Sequence, residues 1–349
     1  MRNVIRHAAI AATLVSVTSL ASAQALQEVR ISSQPALLSS VPFLVATEKD
    51  WWKEVGLTVT VTNFPAGAPQ IAASSSWDVG LTGSVPAVLG AARFNLHTVA
   101  LSEDQSATNA IYVRGDKADA MIRTPALLKG QTLFLTGNST VDFASRSCLQ
   151  KFGLQRGDVT IRSMGQAEIL SAMSSGSADI AGLWAPNTYT AEEKAGAKVL
   201  CSGKDAGVLI TGNLVVRSDW AKQNPQLVAK FLAGYIRAQR YLAANRKEAL
   251  ALMKRHYEAG GVQISETAMN KELDMRPTYD LGAQLAMFDR SKGASRADAA
   301  MIAITAFMKE VGSLRPDEPA PDVKNYVTDE YLKLVDRDPK LKAFAARTN

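Results

Sequence analysis

The sequence is short of the residues on which most enzyme chemistry rests. Its 349 residues include three histidines and two cysteines. His7 lies close to the N-terminus, and neither His97 nor His256 stands in a pattern that makes a metal site or a catalytic base. G-x-S-x-G, H-E-x-x-H and phosphate-loop patterns are absent. No cofactor is implied, and an enzyme ranks below a binding protein. Basic runs are also missing. Lys and Arg total 39 against 33 Asp and Glu, a formal charge of +6, scattered and without interleaved aromatics. That pattern gives nucleic acid no electrostatic footprint. Beyond the N-terminus no apolar stretch is long enough to span a bilayer.

The N-terminus has the order of a secretory signal. Arg2 and Arg6 precede an uncharged apolar stretch at 8–20, followed by the small-x-small sequence Ala21-Ser22-Ala23. The stretch is shorter than the roughly 20 apolar residues of a spanning helix. Residues 1–23 are therefore read as a signal peptide. No cysteine stands at the cleavage point, so no lipid anchor is indicated, and no paired arginines precede the apolar stretch. The expected product is a soluble periplasmic protein, with formal charge 6 − 2 = +4 once Arg2 and Arg6 are removed. In an oxidising compartment the pair Cys148 and Cys201 suggests a disulfide, with two separate buried thiols as the alternative.

What is present is a packed α/β chain. Hydrophobic residues make up 47% and charged residues 21%, the ordinary range for a globular domain. The length calls for two lobes rather than one core. Strand patterns at 29–33, 57–62, 78–81, 96–100 and 111–113 alternate with helical stretches, and the alternation restarts with strands at 131–135, 159–163, 180–183 and 198–200. From Leu214 the chain turns mainly helical. Asn224-Pro225 reads as a cap and first-turn proline, and Leu227, Phe231, Tyr235, Ala238 and Leu242 recur at helical spacing. Lobe one is placed at 24–112 with 214–349, and lobe two at 113–213.

Two weak echoes support related lobes. The segment around Asp78 resembles that around Asp179, and both aspartates are read as stabilising a strand start. Asn109–Asp116 resembles Asn213–Asp219; these segments are taken as the two strands of a hinge between the lobes.

Ligands in open α/β sheets sit beyond the carboxyl ends of the strands. That rule selects Gln34, Gly83-Ser84, Ser139-Thr140, Trp184 and Asn213 as candidate ligand-binding residues. The loop Gly137–Thr140 opens a helix, whose free N–H groups and positive end suit an anion. Trp184 supplies an apolar wall. Arg276 is assigned to the surface, with reach into the cleft mouth as the alternative.

The segments VRISSQPALLSSVPFLVATEKDWWKEVGLTVTVTNF, WDVGLTGSVPAVLGA, ADIAGLWAPN and GNLVVRSDWAKQNPQLVAKFL resemble, in order and spacing, the periplasmic solute-binding proteins of nitrate/sulfonate/taurine-type ABC importers. The resemblance implies a type II periplasmic binding fold, with two α/β lobes joined by a two-strand hinge. It also implies that a monomer delivers a small solute to an ABC permease with its ATPase. In that family the loops matching Gln34, Gly83-Ser84, Ser139-Thr140 and Trp184 carry the ligand contacts. A solute-sensing receptor is the alternative. Enzymes of the wider fold, of desulfinase or thiamine-pyrimidine type, use a cysteine near the first strand or a cysteine cluster; here Ser32 and Ser33 occupy that early loop.

Overall fold

The computed structural model describes residues 25–155 and 157–349. The expected signal peptide lies outside the described residues. The strands in chain order are β1 (Gln27–Ser33), β2 (Leu57–Asn63), β3 (Val79–Gly83), β4 (Leu96–Asp104), β5 (Asn109–Val113), β6 (Thr132–Leu135), β7 (Thr160–Ser163), β8 (Ile180–Trp184), β9 (Lys198–Ser202) and β10 (Thr211–Arg217). They form two five-stranded sheets with orders β2-β1-β3-β10-β4 and β7-β6-β8-β5-β9.

The two sheets share one plan. In each, the first βα strand lies between the second and third in parallel pairing. One antiparallel strand is inserted next to the third: β10 beside β3, and β5 beside β8. The echoes seen in the sequence fall on equivalent corners of this plan. Asp78, just before β3, accepts from the Arg30 guanidinium at 2.7 Å and lies 3.6 Å from Arg217 at the end of β10. Asp179, just before β8, accepts from Arg114 at 2.7 Å just after β5. A carboxylate at the mouth of an inserted strand, buried at Asp78 and half-buried at Asp179, thus ties each sheet with a charge-assisted bond.

The pairing moves one boundary. Asn109–Val113 lies wholly within the second sheet, whereas the sequence division left 109–112 in lobe one. The chain passes between sheets at 105–108 and again at 203–210. These crossings are tied together, with Gln105 N–H donating to Ile210 O at 2.8 Å and Ile210 N–H to Ser106 Oγ at 2.9 Å.

The helices used below are α1 (Val41–Glu48), α2 (Ser84–Phe94), α3 (Thr140–Lys151), α4 (Asn187–Ala195), α5 (Pro225–Ala244), α6 (Arg246–Ala259), α7 (Glu266–Met275) and α8 (Arg296–Glu310). The helical spacing read at 227–242 is the buried face of α5, where Leu227, Phe231, Tyr235, Ala238 and Leu242 enter the core of lobe one. Phe231 stacks on Trp52 with centroids 5.5 Å apart. Pro225 occupies the first turn, but the Asn224 side chain donates back to Trp220 O instead of capping α5. Helix α1 ends at Glu48 and a separate turn of helix follows at Trp51–Glu54, because Asp50 between them takes a left-handed conformation at φ 56°.

Lobe two has apolar layers on both sides of its sheet. Cys148 on α3 and Cys201 on β9 are joined by a disulfide with an S–S distance of 2.03 Å across a sequence separation of 53. The bridge ties a helix to an edge strand and closes a long loop of the unfolded chain. Replacing both cysteines with alanine is expected to lower unfolding free energy by about 3 kcal/mol. Urea denaturation of the double variant checks this; a loss below about 1 kcal/mol would show that the bridge adds little.

Candidate functional site

A cavity of about 50 Å³ lies between the lobes, at the carboxyl ends of β1, β3, β6 and β8. That is several times the roughly 10–15 Å³ a single water requires. Lobe one contributes Gln34, Ser39, Thr82 and Gly83, and lobe two contributes Asn109, Asn138, Ser139, Thr140 and Trp184. Gln34 and Trp184 also line a wider interlobe groove of about 640 Å³, so the chamber opens outward between them.

Each lobe holds its side of the chamber with a glutamine. Gln70 donates to Ser32 Oγ at 2.9 Å and Leu81 O at 3.0 Å, and accepts from Gln34 at 3.2 Å. Gln166 donates to Thr136 Oγ1 and Gly182 O, both at 3.2 Å, and accepts from Trp184 N–H at 3.3 Å. The loops after β1 and β3, and those after β6 and β8, are thereby fixed relative to each other before any ligand arrives.

Two helix N-termini meet the chamber from opposite lobes. Gly83 is the N-cap of α2 and Ser139 that of α3. Ser139 Oγ accepts from Asp142 N–H at 3.4 Å and donates to Thr136 O at 2.6 Å. Thr140 donates to Asn109 Oδ1 at 2.7 Å. The first turns of α2 and α3 carry N–H groups with no carbonyl one turn back, and the positive ends of two macrodipoles converge there. The lining contains no Asp or Glu.

Arg276 corrects the sequence reading. Far from the surface, it is 3% exposed and lines the chamber. Its guanidinium reaches Glu103 on β4 at 2.5 Å and Glu272 on α7 at 2.7 Å. Glu103 also accepts from Gln105 at 2.5 Å, and Glu272 from Tyr257 at 2.7 Å. Burial alone would lower the Arg276 pKa, but Glu103 and Glu272 outweigh it and raise it. Burial raises the Glu272 carboxyl against the opposing pull of Arg276. The sequence contained a signal for this, since Glu272 and Arg276 are one helical turn apart.

The other candidate positions divide. Gln34, Gly83, Ser139, Thr140 and Trp184 line the chamber together. Asn213 does not: it is fully buried inside the first sheet, where its amide donates to Thr211 O at 2.8 Å. Ser84 is fully buried in the first turn of α2, and it too is outside the chamber lining. Sequence reading passed over Ser39 and Asn109, while Asn138 lay inside the selected Gly137–Thr140 loop and Thr82 in the loop of Gly83-Ser84 without being named as contacts. Of these, Asn109 was hidden by the assignment of its strand to the crossing. Cys148 and Cys201 lie outside the chamber and, being bonded, offer no nucleophilic thiolate.

The lobes touch on both flanks of the chamber. Phe143 on α3 meets Phe307 on α8 at 5.1 Å, and Ser313 donates to Asn138. On the other flank Lys271 on α7 pairs with Glu192 on α4 at 2.8 Å. At the centre, a Cβ added to Gly83 would sit 2.6 Å from Thr140 Cγ2 across the gap. Gly83 has φ −76°, so a side chain there strains no backbone. Gly83→Val is therefore expected to hold the lobes apart without unfolding either. Small-angle scattering should show a more open molecule with an unchanged circular dichroism spectrum; scattering identical to the parent would refute the contact.

Residues 38–249 match the sequence pattern of the family described as NMT1/THI5 like. The chain is 30% identical over 220 residues to a Bacillus subtilis (strain 168) protein whose name assigns it to aliphatic sulfonates, covering 61% of this chain and 64% of that one. It is 31% identical over 214 residues to the taurine-binding periplasmic protein of Escherichia coli (strain K12), covering 59% and 65% respectively. The chain thus spans just under two thirds of the length of these curated relatives. Among solved structures, the periplasmic aliphatic sulphonate binding protein SsuA from Escherichia coli superposes with a TM-score of 0.70 at 19% identity, covering 88% of this chain and 99% of that one. The periplasmic nitrate-binding protein NrtA from Synechocystis PCC 6803 superposes with a TM-score of 0.71 at 13% identity, covering 93% and 92%. These likenesses establish the two-lobed α/β fold of periplasmic binding proteins. With the family pattern matched over more than half its length, the chain belongs to the NMT1/THI5-like family.

Proposed function

We propose that this protein is the extracytoplasmic substrate-binding component of an ABC importer, a binder rather than an enzyme. It captures a small anionic solute of the sulfonate, nitrate or taurine kind between its lobes and delivers it to a permease. The observation that carries the reading is the convergence of two helix N-termini, one from each lobe, on a chamber whose lining has no carboxylate. Backbone N–H groups stabilise an anion without introducing a cation that must itself be desolvated. The chamber takes a compact oxyanion head, and the groove beyond Gln34 and Trp184 has room for an organic substituent. That shape favours an organosulfonate over a bare inorganic ion. The names of the relatives agree with this class.

Closure follows from contacts made by both lobes. A ligand shifts the open–closed equilibrium only by its differential affinity for the two states, and a head group bridging α2 and α3 gains its second set of hydrogen bonds only when the lobes meet. The closed face is then presented to the permease. The N-terminal signal order supports export to the periplasm, and among the described residues no helix is long and apolar enough to cross a membrane.

A thermal-shift and calorimetric panel of alkanesulfonates, taurine, nitrate, bicarbonate and aromatic carboxylates tests the proposal. One anion class is expected to raise the melting temperature by mass action. Ser139→Leu/Thr140→Leu should abolish that response, at a cost of about 1 kcal/mol in stability from the lost helix cap. A double variant that binds with parental affinity would remove α3 from the ligand site.

A further inference from the structure

The hydroxyls of the chamber have their hydrogen-bond polarity set by the groups behind them. Asn109, at the start of β5 and 1% exposed, donates from Nδ2 to Gln105 O at 3.1 Å. A carbonyl can only accept, so that bond fixes the amide orientation and leaves Oδ1 for Thr140. The Thr140 hydroxyl is therefore the donor in its 2.7 Å bond to Asn109 Oδ1. The neighbouring hydroxyls are committed in the same way, Ser139 donating to Thr136 O at 2.6 Å and Thr136 to Met164 O at 2.9 Å. Thr140 also faces the gap. A Cβ placed on Gly83 of lobe one would lie 2.6 Å from Thr140 Cγ2 and 3.6 Å from Thr140 Oγ1, so methyl and oxygen both look across the chamber. That oxygen offers a solute lone pairs and no proton. Turning its proton toward an anion would leave Asn109 Oδ1 unpaired in the interior.

We propose that Asn109, as a positioning residue, sets the polarity of Thr140 and through it the substrate class: an organic oxyanion that carries a neutral hydroxyl near its head. Helix N–H groups hold the oxyanion, and the solute hydroxyl donates to Thr140 Oγ1. The inference rests on the anion reading of the chamber. A plain alkyl oxyanion brings Thr140 no proton. An ammonium brings protons together with a charge, and the wall holds the Arg276 guanidinium and two positive helix ends with no carboxylate to match it. A hydroxyl satisfies the oxygen without that charge.

Calorimetry on the mature protein tests this with sulfonates of matched length, isethionate, propane-1-sulfonate and taurine. Their carboxylate counterparts are 3-hydroxypropanoate, butanoate and β-alanine. In a series that binds, the hydroxyl member is expected to bind about tenfold more tightly than either the alkyl or the ammonium member. Thr140→Val, which removes the oxygen and keeps the shape, should abolish the difference between hydroxyl and alkyl members. Thr140→Ser, which keeps the oxygen, should retain it. Asn109→Ala releases the Thr140 proton and should shift preference toward the alkyl member; it serves if Thr140→Val fails to fold. Equal binding of hydroxyl and alkyl members by the parent overturns the inference, as does tightest binding of the ammonium member or a preference that survives in a folded Thr140→Val. Those outcomes leave the anion site standing. Absence of saturable binding by every member of both series removes the anion reading and this inference together.

Discussion

The bonding of Arg276 is the constraint around which the chamber is organised. Two carboxylates from different parts of the chain, Glu103 on β4 and Glu272 on α7, hold one guanidinium in the interior. A charge in that setting is tolerable only while it is paired, and removing one partner of such a set costs several kcal/mol. The consequence is positional. Backbone bonding extends the tie, with Asp104 N–H donating to Pro277 O at 3.0 Å. The C-terminal helices, the end of β4, the first crossing at 105–108 and the floor of the chamber become one unit. Gln105, which bonds both Glu103 and the second crossing, passes that rigidity to the hinge.

The fold was legible because its signals are periodic and local. The three-and-four spacing in 227–242 states the face α5 buries, and the structure buries it as read, whereas the alternation in 57–62 finds the edge strand β2 but only Leu57 is fully buried, with Val59 half-buried and Val61 45% exposed. The related halves were legible through Asp78 and Asp179, since the same corner bond is needed twice. Several short helices were not, Gly115–Arg123 and Pro339–Ala345 among them. These are amphipathic pieces of two turns, and their boundaries follow from packing as much as from composition. The break at Asp50 was likewise hidden, because one left-handed residue leaves no trace in hydrophobic spacing.

The chamber was half legible for a related reason. A rule about strand ends finds loops, and it found Gln34, Gly83, Ser139, Thr140 and Trp184. It does not say which way a residue inside a strand faces. Asn213 pairs across from Thr82 in the first sheet, so it stood in the right neighbourhood while its amide was committed to Thr211. Arg276 was misplaced because sequence shows an arginine in a polar segment but not two carboxylates, one of them 173 residues away, converging on it. Long-range pairing of charge is the information that local patterns lack.

The tie between the two crossings has a mechanical meaning. Two chain segments bonded to each other at Gln105–Ile210 and Ser106–Ile210 resist both shear and independent twisting. Crossings linked in this way leave the lobes fewer ways to move against each other than two independent linkers would. Fewer coordinates mean less configurational entropy for a ligand to remove on closure. They also mean that any ligand able to close the lobes brings them along the same arc to one shared geometry. Under the proposed function, a downstream partner would then read a single shape, whatever chemistry produced it.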